Sequence, residues 1–190
     1  MKVIDAIAEI LKREGVEFLI GYPVNHVLEA AAAADIRTII VRQERTGLHM
    51  ADAVSRITSG RRIGVFAMQH GPGTENSFGG VAQAFGDSVP IVVIPGGYPR
   101  KIAGITPNFS STLNYRHVTK WAEWVTRAVD VPDAMRRAFT QVKNGRPRPV
   151  GGQLQHLRRP GEPVLPEGEL LRQQLAAQPL ALPDGEVGVL

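Results

Sequence analysis

The sequence contains no cysteine among its 190 residues. This absence excludes a disulfide framework, a thiolate metal site and a cysteine nucleophile. It also fits a reducing compartment, so we expect a cytoplasmic protein. The sequence lacks any run of about 18 apolar residues, the length that a membrane-spanning helix requires, so we expect no membrane contact.

Several binding signatures are absent as well. There is no GxGxxG and no GxxxxGK[ST] motif, which makes a generic nucleotide-binding domain the weakest interpretation. The basic residues are scattered, and aromatic residues make up only 6% of the chain, so we expect no nucleic-acid partner. His26, His49 and His117 do not have the spacing of metal ligands, and we expect no metal held by this chain.

The apolar pattern instead predicts regularly alternating helices and strands. The strands are continuously apolar, as in a parallel sheet that is covered on both faces. The order therefore predicts an α/β fold with a doubly wound, mostly parallel sheet and helices on both faces. The predicted helices cover residues 3–14, 24–35, 44–60, 73–88 and 131–145, and the predicted strands cover 16–21, 37–41, 62–68, 90–96 and 122–129.

The composition changes near residue 150. Residues 1–150 read as one domain, with a loop-rich stretch at 97–119. Residues 151–190 form a segment rich in proline and glycine, which we expect to be poorly ordered. The change is also compatible with a frameshifted or truncated gene product.

Polar and glycine-rich segments follow three of the predicted strands. They are Gly21-Tyr22-Pro23, Arg42-Gln43-Glu44, and His70-Gly71-Pro72-Gly73. In open α/β sheets, ligands bind at the carboxyl ends of the strands, where these segments lie. Each segment alone also has a purely structural interpretation: Glu44 could compensate a helix dipole, and His70 could be a loop residue in a tight turn.

Taken in order, the three segments, together with Asn76 and the later Asp87-Ser88-Val89-Pro90, resemble the N-terminal pyrimidine-binding domain of thiamine-diphosphate-dependent enzymes. The resemblance is to the acetolactate synthase-like family and covers roughly residues 1–150. It implies the thiamine-diphosphate-binding fold. Several positions depart from the family pattern: His70 replaces a serine or threonine, Gln43 a histidine, and Val24 and Asn25 two glycines.

The resemblance implies a catalytic role for Glu44, which would hydrogen-bond to the aminopyrimidine ring of the cofactor and favour its imino tautomer. The cofactor would then act as an electron sink on a 2-keto acid. His70 would assist proton transfer to substrate or product. The cofactor-binding positions that the resemblance implies are Tyr22, Pro23, Glu44, Gly71, Pro72, Gly73 and Asn76.

The part of such enzymes that holds the diphosphate and its Mg²⁺ has no counterpart in this sequence, since the Gly-Asp-Gly motif of that domain is missing. The resemblance therefore implies a homodimer, or a hetero-oligomer with a diphosphate-binding subunit. Activity as a transferase or lyase would require that second domain. The alternative is a truncated, non-catalytic, dimerising remnant of such an enzyme.

Overall fold

The computed structural model describes residues 2–23, 25–99, 101–154 and Ala176. Within this part of the chain, helices and strands alternate much as the sequence predicts. The helices are α1 (Val3–Arg13), α2 (Val27–Ala33), α3 (Glu44–Ile57), α4 (Pro72–Gly86), α5 (Ser111–Tyr115) and α6 (Val131–Lys143). The strands are β1 (Phe18–Gly21), β2 (Arg37–Ile40), β3 (Gly64–Met68), β4 (Ile91–Pro95), β5 (Trp121–Val125) and β6 (Val150–Leu154).

In the described part of the chain, six strands form one sheet in the order β2-β1-β3-β4-β6-β5. Every pair of neighbouring strands in this sheet is parallel. Helices cover both faces, so the predicted doubly wound α/β fold is confirmed.

Strand β3 shows how its sequence divides between the two faces of the sheet. Val65 and Ala67 pack against the cluster that contains α1, α2 and α6, whereas Phe66 and Met68 pack against α3, α4 and Tyr115. Successive side chains of a strand point to opposite faces, so a strand between two helical layers must be apolar at every position. This explains why β3 and β4 are buried along their whole length.

Strand β6 extends beyond the boundary that was predicted at residue 150. Val150–Leu154 lies between β4 and β5, with Gly151 paired to both neighbours. Its two glycines contribute no apolar side chain, so the strand does not appear in the sequence as a run of apolar residues. Apart from Ala176, residues 155–190 lie outside the described residues, and the predicted poor order of the tail is not assessed by the structure.

Two other segments differ from the prediction. The loop-rich stretch 97–119 contains the short helix α5, whose first turn is capped by Ser110 Oγ accepting a hydrogen bond from Leu113 N at 3.3 Å. The strand predicted to reach residue 129 ends at Val125, and a 3₁₀ turn follows at Ala128–Asp130. Helix α5 is not recognisable in the sequence because its five residues are too few to show helical periodicity.

None of the helices in the described part of the chain combines the length and the apolar character needed to span a membrane.

Candidate active site

The predicted polar segments meet at one edge of the sheet. Strand β1 lies between β2 and β3, so the connections that leave β1 and β3 diverge at this point. Such a reversal of strand order opens a crevice at the carboxyl ends of the strands, where ligands bind in open α/β sheets. The segments after β1, β2 and β3 carry the residues that the sequence singles out.

Glu44 is the first residue of α3, and only 5% of its surface is exposed. Its Oε2 accepts a hydrogen bond from Asn76 Nδ2 at 3.2 Å. Its Oε1 lies 3.4 Å from the position that a Cβ atom would take at Gly73. The structure therefore brings Glu44, Gly73 and Asn76 together, with the carboxylate turned toward the Gly-Pro-Gly turn.

Gly71 begins that turn with φ = 60° and ψ = −118°, a conformation that side-chain-bearing residues rarely adopt. Its carbonyl oxygen accepts hydrogen bonds from Thr74 N at 2.9 Å and from Thr74 Oγ1 at 2.7 Å. Pro72 occupies the first position of α4, where its missing N–H costs nothing. The turn is thus fixed by its own backbone and side-chain bonds.

Helix α5 supports the same turn from the other side. The hydroxyl group of Tyr115 donates a hydrogen bond to the carbonyl oxygen of Thr74 at 2.6 Å. The side chain is almost completely buried, and burial raises the pKa of Tyr115 well above its usual value, although a hydrogen bond with Ser77 opposes the shift. Tyr115 therefore remains a neutral donor at physiological pH.

His70 is half-buried and lies against the ring of Tyr98, with 4.3 Å between the ring centroids and an interplanar angle of 54°. The hydroxyl oxygen of Tyr98 is 2.6 Å from the position of a Cβ atom at Gly71. Tyr98 thus contacts two consecutive residues of the segment after β3. Sequence reasoning missed Tyr98, although an aromatic residue directly after the two glycines that follow β4 was a usable signal.

Tyr22 and Pro23 lie at the end of β1, alongside β3. The backbone N–H of Tyr22 donates to the carbonyl oxygen of Ala67 at 3.1 Å. Tyr22 is half-buried and Pro23 is exposed. Both therefore lie at the same edge as the segment that starts at His70.

Asn25 is the second residue that sequence reasoning missed as part of the site. Its Oδ1 accepts a hydrogen bond from Val27 N, at the start of α2, at 3.1 Å. Its Nδ2 donates to the carbonyl oxygens of Met68 at 2.9 Å and Ile94 at 3.1 Å. These two bonds join segments distant in the sequence, which no local pattern could reveal.

The Asp87-Ser88-Val89-Pro90 motif lies at the opposite edge of the sheet, because it connects the end of α4 to the start of β4. Asp87 Oδ2 accepts a hydrogen bond from Arg56 Nη2 at 2.9 Å, and Arg56 also binds Asp52. The hydrogen bond to Asp52 has the larger effect and the one to Asp87 the next, and both raise the pKa of Arg56 above its usual high value. The motif thus ties α4 to α3 and lies away from the candidate site.

Among residues 2–23, 25–99 and 101–154, with Ala176, no group of three or more His, Asp or Glu side chains is placed to hold a metal ion. The candidate site offers one buried carboxylate, that of Glu44, beside a turn without bulky side chains. Such an arrangement suits a flat ring that needs a single hydrogen-bond partner.

The sequence is similar to proteins of one known family. Residues 1–122 match the family model described as thiamine pyrophosphate enzyme, N-terminal TPP binding domain. The acetolactate synthase large subunit of Haemophilus influenzae is 34% identical over 152 residues, which cover 77% of this chain and 26% of that protein. Acetolactate synthase 2 of Nicotiana tabacum, a chloroplastic protein, is 37% identical over 153 residues, or 77% of this chain and 23% of its own length.

The acetolactate synthase isozyme 3 large subunit of Escherichia coli is 33% identical over 143 residues, covering 72% of this chain. The chain spans about a quarter of the length of these curated relatives. The predicted resemblance is confirmed.

Proposed function

Because the chain belongs to the family of thiamine pyrophosphate enzyme N-terminal TPP binding domains, we propose that it supplies the pyrimidine-binding side of an enzyme acting on 2-keto acids. Membership of this family implies the use of thiamine diphosphate. The reaction would be an acetolactate synthase-like transfer or a decarboxylation. The observation that supports this proposal most directly is the buried carboxylate of Glu44 beside Gly73.

The residues at this edge fit the flat aminopyrimidine ring of the cofactor. A Cβ atom at Gly73 would lie 3.4 Å from Glu44 Oε1 and 2.8 Å from Gln69 Cγ, so glycine lets the backbone of the turn pack directly against the carboxylate and Gln69. Small-molecule sites orient their ligand with a few precisely placed polar groups, and the carboxylate of Glu44 beside the glycine turn would be such a group for a planar heteroaromatic ring.

The two oxygens of Glu44 would have separate tasks. Oε2 is held by Asn76, whereas Oε1 lies next to Gly73. We therefore expect Oε1 to share a proton with the ring nitrogen N1′ and Asn76 to orient the carboxylate. Tyr22, Pro23, Gly71 and Pro72 would line the same space. When bound, the cofactor would supply the electron sink for chemistry on the 2-keto acid.

His70 would serve as an acid or base close to the reacting groups. Its ring is only partly buried and is held against Tyr98, so it keeps contact with the edge of the site while its orientation is restricted. An imidazole can take up and release a proton near neutral pH.

The diphosphate and its Mg²⁺ would be held by a second domain on another chain, in a homodimer or a hetero-oligomer. Two of the relatives are named as large subunits, that is, as parts of an assembly. In such a division of tasks, the candidate site of this chain would contribute the carboxylate of Glu44 for the ring.

The test combines the 190-residue chain with a candidate diphosphate-domain partner, thiamine diphosphate, Mg²⁺ and pyruvate, and follows the loss of pyruvate. We expect Glu44→Gln to lower the rate by about 100-fold or more, because proton transfer through a positioned side chain contributes at least this much. Glu29→Gln is the matched control, since Glu29 is exposed in the first turn of α2 and loses the same charge.

If Glu44→Gln retains the rate of the control, the proposed role of Glu44 is wrong. If the wild-type chain neither binds thiamine diphosphate nor supports pyruvate loss but sediments as a dimer, the non-catalytic remnant is the better description.

A further inference from the structure

We propose that Asn25 is a positioning residue that fixes the segments after β1, β3 and β4 relative to one another at the candidate site. Asn25 is buried, with only 8% of the surface of the residue exposed. The residue lies two positions after Pro23, where the chain has left β1 and has not yet entered α2.

Both polar groups of the Asn25 side-chain amide, Nδ2 and Oδ1, take part in hydrogen bonds. Both Nδ2 hydrogens have acceptors, the carbonyl oxygens of Met68 and Ile94, and Oδ1 accepts from Val27 N. Two carbonyl oxygens require donors and one N–H requires an acceptor, so only one orientation of the amide satisfies all three groups. A carboxylate of the same shape would place an oxygen against two carbonyl oxygens.

The partners of Asn25 are the ends of the two central strands. Met68 is the last residue of β3 and precedes His70 by two positions, while Ile94 precedes Gly96 and Tyr98 on the chain that leaves β4. The carbonyl oxygen of Met68 also accepts from Gly96 N at 2.8 Å. One side chain therefore joins the exits of β1, β3 and β4.

The exits of these strands carry the groups of the candidate site. Tyr22 and Pro23 precede Asn25, His70 and Gly71 follow Met68, and Tyr98 follows Ile94 and contacts both His70 and Gly71. Restricting these segments before a ligand arrives lowers the entropy lost on binding. This functional part of the inference rests on the proposed cofactor role of the edge.

The first measurement needs no variant. In the wild-type 190-residue chain, the side-chain amide protons of Asn25 should exchange with solvent at least about tenfold more slowly than those of Asn114, since buried, hydrogen-bonded amides exchange only after local opening. Asn114 is exposed and donates a side-chain hydrogen bond to Ser110 O at 2.8 Å, which makes it a matched reference. Equal exchange rates would overturn the inference.

The second measurement separates positioning from general stability. Asn25→Ala is compared with Ser55→Ala, because Ser55 is fully buried and its Oγ accepts a hydrogen bond from Gly64 N at 2.7 Å, at the other end of β3. We expect faster backbone exchange at Tyr22, Val27 and Gly96 in Asn25→Ala only. The same exchange pattern in both variants, at matched stability, would refute the role of Asn25.

Asn25→Asp adds a signature that mere space-filling would not produce. The two carbonyl oxygens and burial disfavour the charged form and raise the carboxyl pKa in the folded state, so the variant should be destabilised at high pH. The loss should shrink as the pH falls from about 8 to about 5, where a protonated carboxyl can again donate a hydrogen bond. A pH-independent difference in Tm from the wild type over this range would contradict the inference.

Binding is read separately, as the Kd for thiamine diphosphate with Mg²⁺ from ligand-observed NMR in the presence of the diphosphate-domain partner. If the wild-type chain binds, Asn25→Ala should bind more weakly than Ser55→Ala, and equal affinities would overturn the positioning role. If the wild-type chain does not bind with the partner present, the cofactor proposal fails, whereas the exchange experiments still decide whether Asn25 holds the segments together.

Discussion

Replacing Gly73 by alanine should weaken cofactor binding while leaving the fold nearly as stable as before. The added Cβ atom would lie 2.8 Å from Gln69 Cγ and 3.4 Å from Glu44 Oε1. Carbon atoms normally approach to about 3.5–4.0 Å, so the Gln69 side chain must move, and the new methyl group would occupy the space next to the carboxylate.

The stability terms of this substitution nearly cancel. Gly73 is in the first turn of α4, and alanine is favoured over glycine in a helix by up to about 1 kcal/mol. Overpacking costs about 1–3 kcal/mol, and we expect the lower end because Gln69 is only partly buried and has a flexible side chain. The free energy of unfolding should therefore change by less than about 1 kcal/mol, or roughly 2–4 °C in Tm.

Gly79→Ala is the matched control in the same helix. A Cβ atom at Gly79 would meet nothing within 4 Å, so the substitution keeps only the gain in helix propensity. We expect Gly79→Ala to raise stability by up to about 1 kcal/mol and to leave binding unchanged.

The assay is ligand-observed NMR of thiamine diphosphate with Mg²⁺ in the presence of the diphosphate-domain partner, combined with thermal unfolding of each variant alone. We expect Gly73→Ala to bind at least about tenfold more weakly than Gly79→Ala, because the added methyl group and the displaced Gln69 side chain would crowd the bound ring, and about 1.4 kcal/mol of such crowding corresponds to a tenfold change in Kd. If a folded Gly73→Ala binds as tightly as the control, the ring does not occupy the space beside Glu44.

Two further predictions concern the packing that supports the site. Tyr115→Phe should lower stability at neutral pH by about 1 kcal/mol, because it removes the hydrogen bond to Thr74 O. Because the pKa of Tyr115 is raised in the folded state, the folded protein keeps the phenolic proton at a pH at which the unfolded chain has lost it. The free energy of unfolding of the wild type should therefore fall as the pH rises above about 10, and urea titrations should show a weaker fall in Tyr115→Phe. An equal fall in both proteins would contradict this assignment. Gly64→Ala should lower the free energy of unfolding, measured with urea, by more than about 3 kcal/mol, because the added Cβ atom would lie 1.9 Å from the backbone oxygen of Ala51. A loss below about 1 kcal/mol would show instead that α3 can move away from β3.

The fold could be predicted largely because the strands are short, apolar and separated by regular helices. β3 and β4 are buried at every position, and the sequence shows this directly as uninterrupted apolar runs. β6 was harder to recognise, since Gly151 and Gly152 contribute no side chains to such a run. At Gly151, a Cβ atom would lie 3.5 Å from the carbonyl oxygen of Val93, an ordinary van der Waals distance, so packing inside the sheet does not by itself require glycine there.

The site could be predicted only in part. The position of Glu44 beside the Gly-Pro-Gly turn followed from the rule that ligands bind where strands end. The contacts of Asn25 and Tyr98 did not follow, because they join residues more than 25 positions apart and depend on which strands become neighbours. A sequence pattern identifies which side chains can perform chemistry more readily than which side chains hold them in place.

The division of tasks within the chain follows from the strand order. The residues of the candidate site all lie between Tyr22 and Tyr98, on the segments that leave β1 to β4. The elements β5, α6 and β6 lie farther along the chain, and the strands β6 and β5 extend the sheet on the side away from β1. The family match, over residues 1–122, includes every one of these site residues. Substitutions in α6 should therefore affect function only through stability, because α6 packs on the core cluster of α1 and α2 and contributes no residue to the crevice beside β1.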